Sequence, residues 1–527
     1  MKTPLVIGCS IAAWLLGPSF LQSQTPAFSI AGRVVQHTDN NPVRGVRVTV
    51  FPVERPNHLI GSITGENGDF RFSGLPAGKY SLQVNYRGWT QAFQQLEQYS
   101  TAIAVGPKLD SEHILFPVNS PASIAGYVLD DGGDPVRGAL VYLFTRSLRD
   151  GFYRTELEST TGTGPDGDFH FAHLAPGSYY VAVSGHPWYA QNVTPQPEQV
   201  EAPPPSPELD VAYPLTYYAG SLNPAGATPV QLDAGARAEI QILLHVVPAL
   251  QIAFDGIEKD QNRQISGLLA QIGPGGTLIS IPTIATNVGM GGVAPGDYVI
   301  SLNRSGQDPE AIGSQPVSLT GNATLNVSEG IVTSVSGKVI LDGEAPQNLA
   351  ILLENVANGN QQFSAVARDK SFKIPEVTPG RYNLRLANTP ELYMQAITAR
   401  GAAYSKGVLD IRSGARVELM INLARGLSKV NGIAIRDNKP VTGAMILLLP
   451  QTFDHGIYIP RDQSDSDGTF TLNWAAPGRY TLVAIEDGNG LEYGNPAVIA
   501  PYLQAGRPVD LPAPSGANLK VEVQARR

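Results

Sequence analysis

Few side chains in this sequence are spaced for chemistry, and each candidate also fits an ordinary structural role. His170 and His173 are three residues apart at the end of an alternating stretch, so we expect them to face opposite sides of a strand rather than share a metal ion. Asp166-Gly-Asp168 and Asp465-Ser-Asp-Gly468 resemble pieces of a calcium loop, but neither continues into a full loop that ends in Glu. Asp next to Gly is also typical of hairpin turns, and we favour turns here.

Motifs for nucleophilic or zinc-dependent catalysis do not occur in the 527 residues. Neither Gly-x-Ser-x-Gly nor His-Glu-x-x-His is found. The single cysteine, Cys9, lies in an apolar run near the N-terminus. We therefore predict a protein that is not an enzyme, with no catalytic residue, no metal ligand and no cofactor. An enzyme with an unrecognised site is the least favoured alternative.

Aromatic residues in predicted loops are the remaining signal for binding. The candidate contacts are Trp89 in the first repeat unit and Trp188, Tyr189, Tyr217 and Tyr218 in the second. Flat rings at one end of a sandwich could stack on sugar faces or anchor a protein partner. The alternative, which we prefer, is that the rings cap their own cores, because aromatic side chains are usually buried for packing.

The element that must position these loops is a turn that occurs five times. In the last four copies it reads Pro-Gly-x-Tyr, where Pro presets φ and Gly supplies the positive φ of a type II turn. The tyrosine then opens an alternating run, as expected for a half-buried strand. The structural pairs are Gly78 and Tyr80, Gly177 and Tyr179, Gly296 and Tyr298, Gly380 and Tyr382, and Gly478 and Tyr480.

Three further motifs precede this turn in a constant order. A Gly-containing strand begins at Ser29, Ser123, Ser334 and Lys429, and a Pro-Val-x-Gly strand begins at Pro42, Pro135 and Pro440. An Asn-Gly or Asp-Gly hairpin ends at Phe70, Phe169 and Phe470. With a weaker closing pair, each unit has about seven strands in ~100 residues, the size of a two-sheet sandwich. The turn glycines lie 99, 119, 84 and 98 residues apart, which indicates tandem domains.

We therefore predict an all-β chain of about five tandem seven-stranded antiparallel Greek-key β-sandwiches. Their expected limits are 24–119, 120–247, 248–331, 332–427 and 428–527, with a Pro-rich surface loop at 194–207. The third unit is degenerate, because Leu250-Gln-Ile-Ala-Phe254 lacks the usual Gly and Asn287-Val-Gly289 replaces the Asp-Gly hairpin. No long linker separates the units, so we expect neighbours to touch in a semi-rigid rod.

The N-terminus and the charge pattern indicate export. Residues 1–23 read as a signal peptide, because Lys2 precedes an apolar run that is shorter than the ~20 residues of a membrane span. The net charge is −9 with both signs interspersed, which provides no basic face for nucleic acid. We expect a periplasmic, cell-surface or secreted protein with no transmembrane segment after signal cleavage.

The order Ile-Ala-Gly-x-Val, Pro-Val-x-Gly-x-x-Val, Asp-Gly-x-Phe and Pro-Gly-x-Tyr resembles the carboxypeptidase regulatory-like domain. That module has a transthyretin-like (prealbumin-like) sandwich and is similar to Cna-B-type repeats. The resemblance implies a domain without catalytic residues of its own. Because such folds are classified near starch-binding domains, the resemblance also makes sugar binding a possibility at the level of the family. The resemblance also raises the hypothesis that Lys338 forms a Lys–Asn isopeptide crosslink, although the in-strand Glu that this reaction needs is not evident.

From these observations we expect an exported, non-catalytic binding, adhesion or scaffold protein whose partner is an envelope or extracellular protein or a glycan. The alternative is a carbohydrate-binding protein that uses the loop aromatics.

Overall fold

The computed structural model describes most of the chain. The expected signal peptide at 1–23, Cys9, Asn287 and most of the Pro-rich loop at 194–207 lie outside the described residues. Within the described residues, no helix has the length and apolar character needed to cross a membrane. The described ranges are 27–192, 194, 206–255, 264–286, 288–305, 310–326, 333–357, 359–389, 391–451, 458–512 and 516–527.

The first sandwich has two sheets, ordered β4-β1-β8 and β3-β2-β5-β6, with β7 also paired to β5. Its strands are β1 (Phe28–Gln36), β2 (Arg47–Pro52), β3 (Ile60–Ile63), β4 (Asp69–Leu75), β5 (Gly78–Tyr86), β6 (Trp89–Ala92), β7 (Ile103–Val105) and β8 (Ile114–Val118).

The second sandwich repeats this plan with sheets β12-β9-β17 and β11-β10-β13-β15, where β16 also pairs with β13 and β14 pairs with β18. Its elements are β9 (Ala122–Leu129), β10 (Leu140–Arg149), β11 (Phe152–Gly162), β12 (Asp168–Leu174), β13 (Gly177–Ser184), β14 (Val211–Ala212), β15 (Thr216–Tyr217), a 3-10 turn (Pro224–Gly226), β16 (Val230–Leu232), β17 (Arg237–Leu243) and β18 (Val247–Pro248).

The third unit, despite its degenerate motifs, folds as a sandwich of sheets β22-β23-β19-β26 and β21-β20-β24-β25. Its elements are β19 (Leu250–Asp255), β20 (Gln264–Ile272), a 3-10 turn (Pro274–Gly276), β21 (Leu278–Ser280), β22 (Ile284–Thr286), β23 (Gly289–Val293), β24 (Gly296–Ser305), β25 (Glu310–Leu319) and β26 (Ala323–Asn326).

The fourth sandwich has sheets β30-β27-β35-β32 and β29-β28-β31-β34-β33. Its strands are β27 (Ser334–Ile340), β28 (Ala350–Asn355), β29 (Gln361–Ala365), β30 (Ser371–Ile374), β31 (Gly380–Ala387), β32 (Leu392–Arg400), β33 (Ala403–Ser405), β34 (Val408–Ile411) and β35 (Arg416–Arg425).

In the fifth sandwich the last strand joins both layers, which gives the order β37-β36-β43-β41-β38-β39, with β40 on β36 and β42 on β41. Its elements are β36 (Ser428–Arg436), β37 (Lys439–Pro440), β38 (Met445–Pro450), β39 (Arg461–Gln463), β40 (Thr469–Ala475), β41 (Gly478–Ile485), α1 (Pro496–Leu503), β42 (Arg507–Leu511) and β43 (Gly516–Gln524).

The five units are β-sandwiches as predicted, but they are not purely antiparallel. In every unit the first strand pairs in parallel with a late strand, as β1 does with β8, β9 with β17, β19 with β26, β27 with β35 and β36 with β43. Sequence alternation reports which side chains are buried and carries no information on strand direction.

The glycine of the first strand exists because this parallel neighbour approaches closely. A Cβ on Gly32 or Gly126 would lie less than 3.0 Å from a backbone carbonyl oxygen of the late strand. The phenylalanine after the Asp-Gly hairpin also packs over this glycine from the neighbouring strand, since a Cβ on Gly126 would lie 2.9 Å from the Phe169 ring. The third unit lacks this Gly–Phe pair, because Ile252 is opposite Met290 and Ala253 is opposite Gly289.

The recurring tyrosine closes a corner that the sequence alone did not reveal. In each unit its hydroxyl donates a hydrogen bond to the carbonyl oxygen four residues earlier, at 2.5–2.9 Å. This arrangement resembles the tyrosine corner of other sandwiches. The type II turn predicted for the later copies is wrong, since Gly296, Gly380 and Gly478 have φ of 158–159°, close to extended backbone rather than the value that such a turn needs.

The units do not form a simple end-to-end row. The core of the third sandwich continues into the outer face of the second, where Phe144 and Tyr217 are completely buried beside Ile252 and Ile300. The β10–β11 hairpin also reaches the fifth sandwich, where the backbone N–H of Gly494 donates to the carbonyl of Gly151. The second sandwich therefore touches distant units as well as its neighbours.

Candidate binding surfaces at the domain junctions

The aromatics predicted to lie in loops of the first two sandwiches differ in exposure, and two of them lie in strands, Trp89 in β6 and Tyr217 in β15. Trp188 is 85% exposed, and the ring of Tyr189 meets it edge-on with 5.8 Å between centroids. Trp89 is half-buried in β6 opposite Tyr86. Tyr218 packs partly buried against the second core. Trp188 is thus the aromatic of this group that projects furthest into solvent.

Tyr217, by contrast, presents no surface to a ligand. Its ring is completely buried between the second and third sandwiches, and burial raises the pKa of its hydroxyl well above the usual range. Its predicted role as a ligand contact therefore does not fit this structure. The sequence could not separate it from its neighbour Tyr218, because only the packing of the next unit covers it.

The other sequence candidates are the two histidines of β12 and Lys338 of β27. His170 and His173 are both exposed, and His173 has a positive φ of 58°. No group of three or more metal-ligating side chains is found within the described residues. Lys338 is exposed on the outer face of β27, outside the apolar core that an isopeptide crosslink would require.

A buried polar junction joins the first and fifth sandwiches. Arg461 at the start of β39 is almost inaccessible and pairs with the Glu97 carboxylate. Its guanidinium lies over the rings of Tyr99 and Tyr493, 4.5 and 5.1 Å from their centroids. Such stacking lets a buried arginine retain its charge without water.

Backbone pairing continues the same junction. The Ala102 N–H donates to Asp465 Oδ1 at 3.0 Å, and the Ser466 N–H donates to the Ala102 carbonyl at 2.9 Å. Lys79 also pairs with the Asp465 carboxylate. Burial raises the pKa of Asp465, and it raises the pKa of the nearby Asp462 to about 6. Burial at the junction therefore favours the neutral form of both carboxyl groups relative to water.

A second buried ion cluster joins the second and fourth sandwiches. Glu354 accepts hydrogen bonds from Arg154 at 2.7 Å and from Arg385 at 2.5 Å. Arg385 also reaches Asp150 at 2.8 Å. Burial alone would raise the pKa of Glu354, but the two guanidinium groups outweigh it and lower that pKa. Both carboxylates therefore have cationic partners from another unit.

A cleft of about 680 Å³ separates the third and fourth sandwiches. One wall carries Ile272 and Leu278, which are 48% and 38% exposed. The opposite wall carries side-chain amides and Arg381, a member of the Pro-Gly-Arg-Tyr turn. Sequence reasoning missed all three junction sites, since isolated charges and amides in strands form no repeating pattern that would mark them.

Comparison with known proteins identifies part of the chain. Residues 29–105 and 123–204 match the family model of the carboxypeptidase regulatory-like domain. No curated protein matches the chain. Solved structures with detectable similarity include the minor pilin GBS52 of Streptococcus agalactiae, at 13% identity and a TM-score of 0.22, covering 42% of this chain and 96% of that one.

Two further structures show the same low similarity. The TIE protein of Bacillus anthracis has 11% identity and a TM-score of 0.17, covering 94% of this chain and 74% of that one. The shaft pilin SpaA of Lactobacillus rhamnosus GG has 10% identity and a TM-score of 0.20, covering 42% and 98%. None of these scores supports a functional argument. The first two sandwiches, which carry the matched residues and the motifs described above, are carboxypeptidase regulatory-like domains.

Proposed function

We propose that this protein is an exported, non-catalytic scaffold that binds an envelope or extracellular partner. The proposal rests on the structural role of the residues that recur from unit to unit. The glycine of the first strand, the phenylalanine opposite it and the corner tyrosine all serve packing in their own unit. Because the recurring residues serve packing, we assign binding to the residues that differ between units, at the loops and the junctions.

The junctions suit a scaffold because they fix the units relative to one another. The ion pair between Arg461 and Glu97 joins the first and fifth sandwiches, and Glu354 joins the fourth to the second. Ion pairs buried in this way are costly to break, since removal of one partner strands the other charge away from water. The assembly thus holds its exposed loops at set positions.

A carbohydrate-binding function is the second candidate, and the exposure of Trp188 favours it. A solvent-facing indole with Tyr189 edge-on beside it offers a flat apolar surface, which suits the face of a sugar ring. Trp89 and Tyr218 are partly buried and would contribute at most the edges of their rings.

The two candidates are separated by one pair of assays on the same preparation. The chain from residue 24 is screened on a glycan array and used to capture partners from an envelope extract after photo-crosslinking. Glycan binding that Trp188→Ala abolishes, and that Trp474→Ala preserves, supports the sugar candidate; Trp474 is also exposed but lies in the fifth sandwich. Capture of one defined protein supports the scaffold, and turnover of a bound compound would overturn both.

A further inference from the structure

The cleft between the third and fourth sandwiches has the dimensions and position of a ligand site. Its volume of about 680 Å³ falls within the range of small-ligand pockets, which occur preferentially where domains meet. Two strands at sheet edges border it: Leu278 belongs to β21 and Gln361 to β29. An edge strand has backbone donors and acceptors that its own sheet does not use.

The two walls differ in chemistry. The third sandwich contributes Ile272, Leu278 and Pro316, a largely apolar and solvent-facing surface. The fourth contributes side-chain amides, including Gln361 and Gln362. The amide oxygen of Gln362 is buried without a hydrogen-bond partner among the described residues. Amides both donate and accept, which matches the alternating groups of a peptide backbone.

The charge in the cleft is of one sign. Arg381 contributes the lining cation, and no carboxylate lines the cleft among the residues that the structure describes. The cross-strand neighbour Asp410 lies outside the cleft, and no ion pair joins it to Arg381 in the described part of the chain. The Arg381 guanidinium can therefore bind a carboxylate through two parallel hydrogen bonds, which favours a ligand that carries one carboxylate.

These features together fit the end of a polypeptide. We propose that the cleft binds the extended C-terminal segment of a partner protein, with its terminal carboxylate on Arg381 and an apolar last side chain against Leu278. The backbone of the segment would pair with β21 at Leu278 and with the Gln361 amide, in the manner of strand addition, since the Ser280 carbonyl of β21 already accepts from the Tyr142 hydroxyl. This inference rests on the proposed scaffold function, because both require a protein partner.

The test uses the chain from residue 24 and pools of fluorescein-labelled hexapeptides that end in Leu, Val or Phe. Each pool is made with a free C-terminal carboxylate and again as the C-terminal amide, and binding is followed by fluorescence anisotropy. We expect at least one acid pool to bind about tenfold more tightly than its amide, since one charge-assisted hydrogen bond corresponds to a factor of this size. Equal binding of acid and amide, or no binding by any pool, overturns the proposal.

The matched control comes from the same motif in another unit. Arg479 occupies the Pro-Gly-Arg-Tyr turn of the fifth sandwich and is exposed as Arg381 is. We expect Arg381→Gln to weaken acid-pool binding about tenfold and Arg479→Gln to leave it unchanged. Arg381→Lys, which keeps the charge but loses the fork, should fall between them, and circular dichroism checks that each variant is folded. Equal effects of the two glutamine variants contradict the assignment.

The same variants separate this inference from the proposed function. If Arg381→Gln still captures the envelope partner while acid-pool binding never appears, the cleft assignment fails and the scaffold stands. If no envelope partner is captured by the unaltered chain but acid pools bind, the cleft assignment stands and the scaffold function needs revision.

Discussion

Breaking the junction between the first and fifth sandwiches tests the architecture most directly. Arg461→Ala leaves the Glu97 carboxylate largely buried without its partner and removes the cation between Tyr99 and Tyr493. Loss of one partner from a buried ion pair costs about 3–5 kcal/mol. That is more than a hundredfold in the equilibrium between docked and undocked fifth sandwich. We therefore expect the variant to populate the undocked arrangement.

The absence of further cysteines makes the measurement practical. Because Cys9 is the single cysteine in the sequence and precedes residue 24, a chain that starts there can carry two engineered labels. Lys108→Cys in the first unit and Lys439→Cys in the fifth report the separation of the two sandwiches by fluorescence energy transfer. We expect a clear loss of transfer on Arg461→Ala.

The control and the refuting result use the same labels. Arg44→Ala removes an ion pair to Glu66 that is exposed on both sides and should leave the transfer unchanged, as surface pairs contribute little. Combining Arg461→Gln with Glu97→Gln should restore part of the transfer, because no unpaired charge is left at the junction. Unchanged transfer in Arg461→Ala would show that the ion pair does not hold the two units together.

Three further outcomes follow from single residues. Gly126→Ala should destabilise the second sandwich by several kcal/mol in urea unfolding, because its Cβ meets the backbone of the parallel strand, whereas Gly162→Ala has room and should be nearly neutral. Burial raises the pKa of Asp462 to about 6, so between about pH 4 and 7 the folded state binds more protons than the unfolded state. The unfolding free energy should therefore fall as the pH rises through this range. Asp462→Asn should flatten that slope. His173→Gly should stabilise by about 1 kcal/mol because φ is +58°, while His170→Gly, in the same strand β12 but without a positive φ, should destabilise.

Each of these three predictions has a result that would contradict it. Equal unfolding midpoints for the two alanine variants would show that the strand spacing at Gly126 relaxes easily. A pH slope that Asp462→Asn does not change would assign the titration to another acid. A loss of stability in His173→Gly would show that contacts of the imidazole outweigh its backbone conformation.

Patterned features were accessible from the sequence. Apolar alternation, the Asp-Gly hairpins and the five Gly-x-Tyr corners predicted repeated sandwiches, since those signals depend on a few neighbouring residues in each strand. The type of turn was not accessible, because it depends on a side-chain hydrogen bond rather than on the pattern of residue types. The type II turn at Gly380 was wrong because the hydroxyl of Tyr382, by reaching the Thr378 carbonyl, sets the corner.

What the sequence by itself determined is the unit: two layers, one apolar face on each, and a fixed order of turns. Tertiary structure decided how the units meet. Tyr217 and Tyr218 are equivalent in sequence terms, yet the third sandwich buries one of them and leaves the other partly exposed. Arg461 pairs with Glu97, which lies more than three hundred residues earlier in the sequence. Contacts between folded domains depend on the relative placement of the domains, so no periodic pattern in the sequence predicts them.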